Sequence, residues 1–243
     1  MSAQALAPDP GRLPAPRLLA RFVAMDLRLF AARVLRGLTL RRLADLPPES
    51  LALPDSLLCR NALELATRTS RPMVRNHALR TYAFGAALAA RSGLRLDREV
   101  FFVAAVLHDL GLNDDLRTEP GSFEWVGARR AHRFCLEQGV SATRADLVHD
   151  AIALHASVGI AHRRGPEVAM VHYGAGVDVL GLRLDEIPPG TLEALLEQYP
   201  RLEFKRCFVP LLVDQATRKP ASHIAGHVGL GFAKRVARTA FRE

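Results

Sequence analysis

The sequence predicts an all-α protein, with one compact helical domain behind an N-terminal helix and a linker. Three observations lead there. Apolar residues recur at steps of three and four along most of the 243 residues, the period of helices with one buried face. Proline and glycine fall where helix ends prefer them, proline at the start and glycine past the end. No run alternates apolar and polar residues for long enough to make a sheet.

The elements follow in chain order. Residues 1–16 are rich in Pro and Ala, show no apolar period and read as a flexible tail. Leu19, Phe22, Val23, Leu27, Phe30, Val34 and Leu38 then mark an amphipathic helix flanked by Arg17, Arg21, Arg28 and Arg36. A basic amphipathic helix can lie on a membrane; packing on its own domain or on a partner subunit is the expectation here, which allows a homo-oligomer. Pro47, Pro48 and Pro54 mark a linker, so residues 17–54 form an N-terminal helix and linker and 55–243 the main domain. Pro72 opens the first helix of that domain and Gly93 closes it. Asp97 caps a second that runs to Gly111, and Ser122 a third that ends before Gly139. Ser141 caps a fourth ending near Gly159, and Pro166 opens a fifth ending near Gly181. Further helical stretches cover 190–198, 203–217 and 224–240.

Composition removes several classes. Lys and Arg total 33 against 25 Asp and Glu, a net charge of +8, and 49% of residues are apolar. That apolar content is too high for a disordered chain. No charge-poor stretch reaches the roughly 18–20 residues a membrane helix needs, so no integral membrane association is expected. The start lacks a secretory pattern. Cys59, Cys135 and Cys207 are odd in number and far apart, with no CxxC, which fits a reducing cytoplasm. The positive charge is scattered arginine without interleaved aromatics, so no specific nucleic-acid partner is expected. A P-loop, GxSxG and HExxH are absent, and the GAGVDVLG run lacks dinucleotide-loop spacing.

The chemistry lies in histidines and acids on the apolar faces of these helices. His77 shares a face with Val74, Thr81, Phe84 and Leu88. His108 and Asp109 end the second helix, below Phe101, Ala104 and Ala105. His155 sits with Val148 and Ile152, and Asp178 with Val171, Gly174 and Ala175. A buried unpaired charge is costly, so Asp109 and Asp178 need a cation nearby. Histidines and carboxylates converging in a helical core make a metal site. Gly174, Ala175 and Gly176 would let the helix of Asp178 approach a crowded centre. Arg75 and Arg80 flank His77 and are expected to point elsewhere.

His77, then His108-Asp109, then Asp178 resembles the H…HD…D signature of the HD-domain metalloenzymes, carried most clearly by VAAVLHDLGL. The segments RNHALRTYAFG, SFEWVGA, AIALHASVGI, GAGVDVLGL, YPRLEFKRCF and KPASH narrow the resemblance to the cyanamide-hydratase-like branch, together with bacterial proteins labelled HD-domain phosphohydrolases. The resemblance implies an all-α HD-domain bundle with a metal site in its core. It implies a divalent transition metal held by His77, His108, Asp109 and Asp178, with Zn or Fe the first expectation and Mn, Ni and Co not separable by donor chemistry. It implies an enzyme, a hydratase (lyase) or hydrolase acting on a small-molecule substrate such as cyanamide or another nitrile. A phosphohydrolase of nucleotides or phosphate esters is the alternative. A non-catalytic HD binding module ranks last, because the signature is complete.

The remaining candidates have both a functional and a structural reading. His155 is a general acid/base candidate, since imidazole titrates near neutrality, and Asp109 contributes to catalysis as a metal ligand. Glu124, in SFEWVG, is a second base or substrate contact, or a carboxylate favoured by the helix N-terminus. From Asp109 the steps to His132, His155 and Asp178 are 23 residues each. Some HD enzymes hold a second metal with two such histidines, so His132 and His155 formally offer a two-iron oxygenase site. The hydratase-like branch does not use a histidine at the His132 position, and the mononuclear reading is preferred. His149, His162 and His172 are read as surface or structural. His223, in KPASH, is a weak substrate-binding candidate that can equally sit in a turn, and His227 has no stronger claim.

Overall fold

A computed structural model describes residues 6–38, 43–239 and 241. Among these residues the fold is helical throughout, without a strand. Helix α1 (Ala15–Leu38) precedes a single turn α2 (Pro48–Leu51) and α3 (Leu57–Thr69). The central bundle comprises α4 (Pro72–Arg91), α5 (Arg98–Leu107), α6 (Phe123–Glu137), α7 (Ala142–Ala153) and α8 (Pro166–Leu180). Helices α9 (Pro189–Gln198), α10 (Phe204–Arg218), α11 (His223–Gly229) and α12 (Phe232–Ala237) close one side.

The packing of α4 against α8 positions the site. A Cβ on Gly174 would lie 2.1 Å from the Thr81 carbonyl oxygen, so only glycine permits this approach. The small-residue expectation for that helix is therefore met at Gly174, one turn before Asp178 and directly against the helix of His77. Tyr82, Phe84, Leu88, Phe101 and Phe102 fill the interior beside this contact. Burying each such side chain stabilises the fold by roughly 1.5–3 kcal/mol.

Helix ends differ from expectation where chemistry needs them to. The second core helix stops at Leu107 rather than running to Gly111, and Asp109 leaves helical geometry at φ −101°, ψ 15°. Consecutive residues on a continuous helix point about 100° apart. Ending the helix here lets both His108 and Asp109 face inward. The short turn that follows packs on α6, where a Cβ on Gly111 would lie 2.0 Å from the Phe123 carbonyl oxygen. Helix α7 likewise stops at Ala153, which leaves His155 in a turn. The expected helix over 224–240 breaks into α11 and α12 at Gly231, whose φ is 83°. Helix α3 was not anticipated. Its buried face is Cys59, Ala62 and Ala66, too small to register as an apolar stripe, although Ser56 caps it by accepting from the Cys59 amide.

Of the expected flexible tail, residues 1–5 lie outside the described residues, and from Ala7 onward the segment is tied to the body of the protein. The Ala7 amide donates to Asp150 at 2.8 Å, the Ser122 amide donates to Asp9 at 2.9 Å, and the Arg12 amide donates to the Ala221 carbonyl at 2.8 Å. Helix α1 buries only part of its apolar face within this chain. Its inner face is Leu18 and Phe22, buried against Val158 and Phe232. The stripe Leu19, Val23, Leu27, Phe30, Val34 and Leu38 is exposed, as the fold of this chain does not cover it. Among the described residues no helix is long and apolar enough to cross a membrane.

Candidate metal centre and cavity

Helices α4 and α5 bring His77, His108 and Asp109 together, all at most 2% exposed, with one donor atom from each lying within 4.8 Å of the others. His77 Nε2 and His108 Nε2 are 3.2 Å apart. Asp109 Oδ2 lies 3.6 Å from the first and 3.3 Å from the second. The opposite nitrogen of each ring is fixed from behind. His77 Nδ1 donates to Asp178 Oδ2 at 2.7 Å, and His108 Nδ1 donates to the Ala105 carbonyl at 2.7 Å. Both rings therefore turn an Nε2 lone pair toward the same point, where Asp109 Oδ2 is buried without a hydrogen-bond partner. Two facing lone pairs and a carboxylate demand positive charge. A proton on one imidazole or a metal ion can supply it, and an N₂O donor set with its outer nitrogens anchored is what a transition metal takes.

The electrostatics agree. Burial opposes ionisation of Asp109, but His108 and His77 outweigh it and hold the carboxyl well below its usual range. Burial also works against charge on His108, yet Asp109 raises its pKa above the ordinary imidazole value. For His77, burial dominates and lowers the pKa despite Asp178.

Asp178 stands behind His77 rather than beside His108 and Asp109. Arg80 grips it in a bidentate pair, Nε to Oδ1 at 2.9 Å and Nη2 to Oδ2 at 2.8 Å, and Arg201 donates to Oδ1 as well. Burial raises its pKa, but Arg80 and His77 overcome this and keep it ionised. A fully buried carboxylate with two guanidinium partners is already neutralised. In the described geometry Asp178 thus contacts the outer nitrogen of His77 and two guanidinium groups, at the position for which the sequence suggested a fourth ligand. Arg80 was expected to point away from the site; it is one helical turn from His77 and completely buried, as i,i+3 spacing requires. Arg201 and Phe204 come from the YPRLEFKRCF segment, with the Phe204 ring 4.7 Å from that of His77.

His155 joins the triad from the turn after α7. Its Nδ1 donates to the Ile152 carbonyl at 2.7 Å, and its Nε2 lies 3.7 Å from Asp109 Oδ1. Burial pushes its pKa down to about 3, so it is neutral, with Nε2 as an acceptor. His132 does not join. It is partly exposed and pairs with Asp146 at 2.9 Å, so the second-metal pair of His132 and His155 is not assembled. Glu124 is fully buried and does not line the cavity at the triad. Both its carboxylate oxygens lack hydrogen-bond partners, and burial pushes its pKa up to about 8. His223 is also used structurally: its ring nitrogens face the carbonyls of Gly11 and Ala156 at 3.3 and 3.2 Å, which ties the N-terminal segment to the loop after His155.

A cavity of about 580 Å³, including its mouth, opens onto His77, His108, Asp109 and His155. Apart from these and two further histidines, its lining is apolar or small, with no Lys or Arg among the described residues. The two further histidines are His172 and His227, which the sequence left as structural or unassigned. His172 Nδ1 donates to the His155 carbonyl at 2.6 Å and so braces that turn. No spacing rule links either residue to the triad, since α8 and α11 meet it only through tertiary packing.

Residues 74–184 match the HD domain family, a span that starts just before His77 and ends just after Asp178. The chain contains an HD domain. The HD domain and its flanks are similar to two Saccharomyces cerevisiae proteins, the cyanamide hydratases DDI2 and DDI3. Each is 28% identical to this chain over 187 residues, covering 75% of this chain and 83% of theirs. With the buried His77, His108 and Asp109 cluster, the HD domain supports a metal-dependent enzyme.

Proposed function

We propose that this protein is a metal-dependent hydratase that adds water across the carbon–nitrogen triple bond of a small nitrile-type molecule. The observation that carries this reading over phosphate chemistry is the cavity wall. Phosphoryl groups need cations to neutralise several oxygens, and among the described residues no Lys or Arg lines the cavity. The guanidinium groups of Arg80 and Arg201, behind His77, are bound to Asp178. The similarity to the two yeast cyanamide hydratases points to the same chemistry.

His77, His108 and Asp109 would hold the ion, with Zn and Fe the foremost candidates for this donor set. When bound, a divalent ion supplies the Lewis acidity that makes water nucleophilic near neutral pH. Asp178 keeps the Nε2 of His77 turned inward. His155 Nε2, neutral and adjacent to Asp109, accepts the proton released by water and returns it to the substrate nitrogen. The apolar wall excludes bulk water and strengthens these interactions.

The test is a screen of metal-loaded protein on cyanamide and simple nitriles, with nucleotides and phosphate esters in parallel. Turnover of a nitrile, abolished in His108→Ala and reduced in His155→Ala, supports the proposal. Metal-dependent phosphate release without nitrile turnover reverses it, and no turnover of either class leaves a binding module.

A further inference from the structure

The cavity beside the triad is lined mostly by apolar side chains, whereas cyanamide, the smallest substrate of the proposed chemistry, has three heavy atoms and no apolar body. Beyond the triad its wall is built from Val158, Val179, Leu182, Leu212, Ile224 and Phe232. These residues come from α8, α10, α11, α12 and the turn after His155, so several independent elements present apolar groups to one space. A small polar substrate offers this wall no apolar surface to match it.

One polar group in the wall lacks a partner. His227 is 2% exposed and lines the cavity. Its Nδ1 donates to the His223 carbonyl at 3.1 Å, which leaves Nε2 as a lone-pair acceptor, and Nε2 has no hydrogen-bond partner. The ring is held by Phe22 and Phe232 at centroid distances of 5.2 and 5.7 Å. Burial keeps it neutral, with a pKa pushed down to about 3. A buried acceptor without a donor is costly, and a bound molecule can supply that donor.

We infer that the substrate is a nitrile with an apolar body that fills this wall and one O–H or N–H group that donates to His227 Nε2. The inference rests on the hydratase reading for its reacting end. There, water adds across C≡N: a carbon–oxygen bond forms, both hydrogens of water end on the new amide, and no redox partner is required.

Binding separates the inference from the reaction. Calorimetry on the metal-loaded protein would compare acetamide with linear amides up to hexanamide, the hydration products of the corresponding nitriles. Transfer of each methylene into an apolar wall should tighten binding about fourfold until the cavity is full, and kcat/KM for the nitriles should rise in parallel. Hydroxylated hexanamides then probe His227. At one chain position the hydroxyl should bind without penalty. His227→Phe should weaken that ligand about tenfold relative to hexanamide, and His227→Gln, which keeps an acceptor, should restore most of the loss. Hydration of cyanamide with flat chain-length dependence overturns the inference and leaves the hydratase reading intact. Chain-length-dependent amide binding without turnover of any nitrile overturns the reading and leaves the apolar ligand class standing. A uniform hydroxyl penalty at every position removes His227 from the proposal.

Discussion

His77 Nδ1 donates to Asp178 Oδ2 at 2.7 Å, and this single bond decides which nitrogen of His77 looks into the cavity. Asp178 can do this because Arg80 and Arg201 keep it ionised in the protein interior. The arrangement links α4, α8 and the segment before α10 in one buried network, so metal affinity and fold stability are coupled through it.

Replacing Asp178 should therefore affect both properties. Asp178→Asn leaves Arg80 buried without its carboxylate, which should destabilise the protein by about 3–5 kcal/mol. Metal affinity should fall roughly 10–100-fold, the usual cost of losing an outer-shell partner, while stoichiometric metal still binds at saturating concentration. Asp109→Ala should remove metal outright. Denaturant melts and metal titrations of both variants decide the point. Equal, complete loss of metal in the two would make Asp178 a ligand.

Metal number follows from the position of His132. Since it pairs with Asp146, away from the triad, His132→Ala should leave metal content at about one ion per chain and activity nearly unchanged. Elemental analysis of purified wild type and variant measures this. Two ions in the wild type and one in the variant would restore the two-iron alternative.

The N-terminal segment should contribute to stability from both of its parts. Removing residues 1–14 deletes the bonds of Ala7, Asp9 and Arg12 to the body of the protein. Removing 1–38 also strips Leu18 and Phe22 from Val158 and Phe232 at the cavity wall. The melting temperature should drop in both truncations and further in the longer, by roughly 2–4 °C for each kcal/mol lost in a chain of this size. An unchanged melting temperature for the longer truncation would mean that α1 adds nothing to the fold. Size-exclusion chromatography of the same truncations shows whether the exposed face of α1 joins subunits.

Glu124 should make stability depend on pH. Its folded pKa of about 8 lies above the ordinary 4.5, so the folded state keeps a proton that the unfolded state releases. The contribution of this group is fully present below about pH 4.5 and is lost as pH rises toward 8. Between pH 5 and 8 the wild type should lose a few kcal/mol relative to Glu124→Gln, which cannot ionise. Urea denaturation of both proteins at the two pH values measures the difference. Parallel behaviour would place the Glu124 pKa near its ordinary value.

The sequence by itself determined the helical class, most helix starts and the residues from which a metal centre could be drawn. Those features are local: caps at Asp97 and Ser122, prolines at Pro72 and Pro166, and polar residues breaking apolar faces at His77, His108 and Asp178. Even Arg80 was legible in principle, because it lies three residues from His77 on the same helix face. What the tertiary structure decided was how those residues share their work. Asp178 meets Arg201, distant in sequence and delivered by the approach to α10, together with Arg80 and His77. His132 and His155 have the same spacing in the chain, yet only His155 reaches Asp109, because α7 stops at Ala153 and turns it inward. The apolar cavity and the unpartnered nitrogen of His227 exist only where α8, α10, α11 and α12 converge. Periodicity reports which side of one helix is buried. It carries no information about which other helix lies opposite, and that pairing sets charge, hydrogen bonding and the shape of the space left between them.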